Sequence, residues 1–100
     1  MTWDQYREWQ RPKREGPIEA MALGLAGESG EVIDLLKKLI YHNVSIPPGK
    51  LVEELGDVFF YLTAILDMTG YTLEDVMHTN CAKLNRRYPT GFVPGGGIRD

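Results

Sequence analysis

Apolar and polar positions recur with a helical period in four segments, set apart by clusters of proline, glycine and serine. Thr2 with Gln5 three residues on has the form of a capping box, so the first helix starts there and runs to about Arg11, before Pro12. Trp3, Tyr6 and Trp9 repeat every third residue and form one packing stripe, with base stacking by Trp3 or Trp9 as the functional alternative. Pro12 to Gly16 reads as a linker. Pro17 suits the first turn of a long second helix reaching about Tyr41, in which 100° steps place Met21, Leu25, Val32, Leu36 and Leu39 on one face. His42 to Gly49 is a loop, with His42 either capping the second helix or reaching a ligand. The third helix, Lys50 to Met68, is apolar nearly all round (Leu51, Val52, Leu55, Val58, Phe59, Phe60, Leu62, Ile65, Leu66), as a central helix would be. Gly70 ends it, and Thr72 caps a fourth helix running to about Arg87 with Leu73, Val76, Met77 and Leu84 as its buried positions. The expected fold is all-α, a four-helix chain forming a helical bundle.

Two acidic pairs interrupt this pattern: Glu28 with Glu31 in the second helix, Glu54 with Asp57 in the third. Residues three apart lie on one helix face, so each pair can aim both carboxylates at one point. Glu28 falls inside the apolar stripe of its helix and Glu31 at its edge, whereas Asp34, Lys37 and Lys38 fall on the opposite face. A carboxylate on a core-facing stripe is costly unless paired or ligated. The two pairs therefore read as halves of one site for a hard cation, Mg²⁺ with Mn²⁺ as a substitute. Gly24, Gly27 and Gly30 weaken the same helix, and close approach of another backbone or a ligand is the expected return. In the fourth helix Lys83, Arg86 and Arg87 are either dipole partners of its C-terminus or a clamp for phosphate oxygens.

Composition narrows the class. A chain of 100 residues with 43% hydrophobic and 25% charged residues fits a single globular domain, expected over 1–93, followed by a flexible tail at 94–100 that holds Gly95-Gly96-Gly97. The net charge of −3 argues against general nucleic-acid binding. The lone Cys81 leaves no internal disulfide, no signal peptide is evident, and the apolar run Val58 to Leu66 is too short for a bilayer, so the expected compartment is the cytoplasm, with no membrane partner. So short a chain has trouble covering its third helix alone, which predicts a core completed by oligomerisation.

The run Leu25-Ala26-Gly27-Glu28-Ser29-Gly30-Glu31-Val32, then Glu53-Glu54-Leu55-Gly56-Asp57-Val58, then Asn80 to Pro89, resembles the MazG-like nucleoside triphosphate pyrophosphohydrolases over roughly residues 18 to 92. The resemblance implies an all-α fold assembled as a homodimer or homotetramer, hydrolysing an NTP or dNTP to the monophosphate and pyrophosphate with Mg²⁺. It implies Glu28, Glu31, Glu54 and Asp57 as metal ligands and catalytic residues, and Asn80, Lys83 and Arg87 as residues holding the phosphates. Glu53 would sit behind the ligands, and the pattern leaves Arg86 without a role. Trp3, Trp9, His42 and Phe92 are candidates for the base side. Two other readings stand beside this one: phosphoribosyl-ATP pyrophosphohydrolase, with similar helices and acidic motifs, and a non-catalytic helical assembly module whose acids bind structural cations.

Overall fold

A computed structural model describes residues 1–95, and among these the chain is all-helical, with no strand. Its helices are α1 (Trp3–Gln10), α2 (Ile18–Tyr41), α3 (Lys50–Met68) and α4 (Leu73–Arg87), with a short 3₁₀ turn at Arg11–Lys13. The chain divides into two compact units, one covering Met1–Gly70 and a second beginning at Tyr71. The tail expected at 94–100 lies, from residue 96 onward, outside the described residues. No described helix is long and apolar enough to cross a membrane.

The ends of the helices follow from local chemistry. Thr2 and Gln5 form the expected capping box, the Thr2 hydroxyl accepting from the Gln5 N–H at 3.2 Å and the Gln5 side chain accepting from the Thr2 N–H at 2.8 Å. Thr72 and Asp75 repeat the device at the start of α4. Pro17 sits one residue before α2, as its N-cap, and His42 is the residue that closes it. Gly49 precedes α3 in the left-handed region (φ 85°), a conformation that costs a side-chain-bearing residue far more than glycine.

In the first unit α3 is central, as expected, with α1 and α2 both packed on it. Met21 of α2 and Ala64 and Leu66 of α3 are buried. At the closest crossing the ring of Tyr61 occupies the space a Cβ on Gly24 would need, so this glycine is what allows α2 to approach α3. Gly27 and Gly30 do not repeat the device. Nothing described in the chain stands beside either, so of the three glycines Gly24 alone meets the neighbouring helix.

Three further expectations are corrected. Residues 12 to 16 are more than a linker: the 3₁₀ turn leads into Arg14, whose side chain is mostly buried against Asp67. Asp67 gathers Arg7 (3.5 Å), Arg11 (3.0 Å) and Arg14 (2.7 Å), and this ionic cluster fastens the N-terminal segment to the end of α3. Val76, Met77 and Leu84 of α4 are exposed instead of buried, as is Leu39 at the end of the α2 stripe. The physical reason is shared: a helical period identifies an apolar face, but burial requires something to cover it. Much of α3 is in the same condition, with Leu51, Leu55, Phe59 and Leu62 all exposed.

Gln10 is polar, yet it is fully buried. Its amide donates to the Thr63 hydroxyl (2.9 Å) and to the Phe60 carbonyl (2.7 Å), while its oxygen accepts from Arg14 (2.7 Å). Three bonds satisfy the side chain, which is what permits an amide at that depth. The available signal was its spacing: Gln10 lies on the face of Trp3 and Tyr6, seven and four residues on.

Candidate metal centre

Glu28 lies four residues after Gly24, and Asp57 four before Tyr61. The contact that seats Tyr61 on Gly24 therefore brings the acidic turn of α2 opposite the acidic turn of α3. One carboxylate oxygen from each of Glu28, Glu54 and Asp57 lies within 4.8 Å of the others. Glu28 and Glu54 are half-buried and Asp57 is exposed, so the cluster has a protected floor and an open side.

Electrostatics mark the crowding. Burial pushes the Glu28 carboxyl above its ordinary range, and the nearby charges of Asp57, Glu54 and Glu31 push it the same way. Lys50, one turn before Glu54, places its ammonium 2.9 Å from a Glu54 oxygen. The Asp57 charge also reaches across to α1: burial raises the Tyr6 phenol, a hydrogen bond with Thr63 opposes that, and Asp57 adds a smaller upward push. Tyr6 itself stacks edge-on against Phe59 at 5.2 Å.

An all-carboxylate donor set suits a hard, oxygen-seeking cation. Neighbouring oxygens around one octahedral Mg²⁺ are roughly 3 Å apart, and three oxygens already held within 4.8 Å on flexible side chains can be drawn in to that spacing.

The other expected site residues fall as follows. Glu31 is exposed, stands outside the trio on the next turn of α2, and acts on Glu28 through its charge. Glu53 is exposed beside the motif. Asn80, Lys83 and Arg87 belong to the second unit, where their spacing puts them along one face of α4; Asn80 and Lys83 are exposed and Arg87 is half-buried. His42 closes α2, its backbone N–H donating to the Lys38 carbonyl at 3.2 Å. Trp9 packs edge-on against Phe60 (6.3 Å) and carries the Lys13 ammonium over its ring (4.5 Å), so its visible work is structural. Phe92 packs against Tyr88 at 5.3 Å. Tyr61 shares the acidic side of α3, as its position in the helical period places it, whereas nothing in the sequence pattern marks Lys50 beyond its place four residues before Glu54.

The model of the MazG nucleotide pyrophosphohydrolase domain matches residues 17–92, a span that crosses both units. The Gene 37 protein of Mycobacterium phage L5 is 30% identical over 84 residues, covering 80% of this chain and 74% of the phage protein. The uncharacterized protein YvdC of Bacillus subtilis is 44% identical over 39 residues, 39% of this chain and 37% of that protein. No solved structure matches significantly.

Proposed function

Because the chain belongs to the MazG nucleotide pyrophosphohydrolase family, we propose that it hydrolyses a nucleoside or deoxynucleoside triphosphate to the monophosphate and pyrophosphate in a Mg²⁺-dependent reaction, with Mn²⁺ as a substitute. The observation that carries this reading is the convergence of Glu28, Glu54 and Asp57 from two helices onto one point. An acidic site repels a bare triphosphate, and a divalent cation held by those carboxylates removes the conflict. Glu28, Glu54 and Asp57 would hold the metal, with Glu31 available from the next turn of α2 as a fourth ligand.

A cation held by these carboxylates would supply charge stabilisation for the phosphate oxygens and lower the pKa of the attacking water. The protein's own share is positional. The Gly24–Tyr61 crossing fixes the spacing of the carboxylates, and the half-buried floor limits water around them. Water attacks a phosphorus, the bond to the departing pyrophosphate breaks, and the water's proton passes to a carboxylate of the site. Asn80, Lys83 and Arg87 are proposed to hold the phosphates, the amide by hydrogen bonds and the two cations by charge. The exposed apolar positions of α3 support a second copy of the same chain as the covering partner, in a homodimer or homotetramer.

The test is a panel of canonical and modified NTPs and dNTPs with Mg²⁺, scored by pyrophosphate release in the unaltered protein and in Glu28→Gln. Release from at least one substrate, lost in the variant, is expected. Preferential turnover of phosphoribosyl-ATP would reassign the substrate, and metal-dependent stabilisation with no hydrolysis of any compound would reduce the protein to an assembly module.

A further inference from the structure

Lys50 is placed against the local rules of its helix. It is the first residue of α3, whose N-terminus carries positive partial charge and favours acids over cations. Its partner Glu54 follows it by four residues, the less favourable order for a helical ion pair. The helix alone gives no reason for a lysine there, but the carboxylate cluster does. The Lys50 ammonium lies 2.9 Å from a Glu54 oxygen; Glu54 is 14% exposed and Lys50 43% exposed, so the anion is fixed and the cation can swing away. The charges acting on this ammonium are those of Glu54 first, then Glu53 and Asp57.

We propose that Lys50 is a built-in counter-cation that competes with the divalent metal for Glu54. The inference rests on the metal reading of the carboxylate trio given above. Without metal, the ammonium offsets the repulsion among Glu28, Glu54 and Asp57 and holds Glu54 in place. When the metal enters, Glu54 exchanges one cation for the other, and the released lysine moves into solvent along its flexible four-carbon stem. Affinity for the metal alone is thereby lower than three converged carboxylates would otherwise give.

The test is calorimetric titration of the full chain with Mn²⁺ alone at low ionic strength, with bound Mn²⁺ also counted by electron paramagnetic resonance. Lys50→Gln is expected to bind Mn²⁺ about 3- to 10-fold more tightly than the unaltered protein. Lys50→Arg, which keeps the charge, should stay near the unaltered affinity, and Lys37→Gln, which removes a cation from the outer face of α2, should not reproduce the gain. Equal or weaker binding in Lys50→Gln, with Mn²⁺ still taken up by the unaltered protein and lost in Glu28→Gln, overturns the competition and leaves the metal reading intact. A gain of equal size in Lys37→Gln likewise overturns it in favour of a general charge effect. Absence of Mn²⁺ binding in both the unaltered protein and Lys50→Gln removes the competition and the metal reading together.

Discussion

The ring of Tyr61 fills the space beside Gly24 that any side chain at that position would claim. Both residues stand one turn from a carboxylate of the trio, so this one contact sets the gap across which the acids face each other. Gly24→Ala should gain about 1 kcal/mol in helix propensity and lose more, about 1–3 kcal/mol, to overpacking. The expected result is a lower melting temperature together with weaker Mn²⁺ binding. Adding Tyr61→Leu to Gly24→Ala, which makes room, should restore much of the stability. Urea unfolding and metal titration of the single and double variants provide the check.

Glu28 predicts an opposition between stability and function. Its folded-state pKa lies above the ordinary value, so the native chain binds more protons than the unfolded chain in the interval between the two. Without metal, stability therefore falls as pH rises through that interval, and ionised Glu28 is a burden at neutral pH. Glu28→Gln should melt at or above the unaltered protein when metal is absent, and should lose the upward shift that Mg²⁺ or Mn²⁺ produces. Its pyrophosphate release should fall by about 100-fold or more. Thermal melts with and without metal, beside activity, separate these effects.

Asp67 titrates in the opposite sense. The Arg11 guanidinium, then Arg14, hold its carboxyl at about 2 against an ordinary 3.8. The stability it contributes is complete above about pH 4 and is lost as pH falls through about 2. Asp67→Asn leaves three arginines facing one another and should cost about 2 kcal/mol at neutral pH, roughly 10 °C in melting temperature. The gap between variant and unaltered protein should narrow on acidification towards pH 2, as a pH series of thermal melts would record.

Gln10 and Thr63 should behave as a coupled pair. Removing the amide in Gln10→Leu strands buried polar partners and should cost about 2–3 kcal/mol. The double variant Gln10→Leu with Thr63→Val should cost less than the sum of the two single changes. A double-mutant cycle by denaturant unfolding measures the difference.

The proposed oligomer makes its own prediction. Light scattering should give a multiple of the 11.3 kDa chain mass, and Leu62→Asp, on the exposed face of α3, should shift it towards one chain. A monomeric mass for the unaltered protein at micromolar concentration would remove the second copy from the reading.

The elements legible in the sequence were those written in short-range chemistry. The capping box at Thr2, the N-cap at Thr72, the breakers around Pro47 and the glycine at 70 located the helices almost to the residue. Glu28 was legible as unusual because it broke an apolar stripe, and the structure indeed joins it to Glu54 and Asp57. Long-range pairings left no such mark. Asp67 is separated from Arg11 by 56 residues and Gln10 from Thr63 by 53, and no local pattern connects them. Gly24, Gly27 and Gly30 looked equivalent in sequence, yet only the first meets a ring, because that depends on where Tyr61 arrives from the other helix.

Both tryptophans of the chain, Trp3 and Trp9, lie in α1. The segment fastened by Asp67 and Gln10 thus carries all of the indole fluorescence, with Trp9 lodged between Phe60 and the Lys13 ammonium. Emission excited at the red edge reports the docking of this one helix, while far-ultraviolet dichroism is dominated by the longer helices α2, α3 and α4. The molecule is therefore its own two-colour instrument, able to show whether its N-terminal strap lets go before the rest of the helical framework melts.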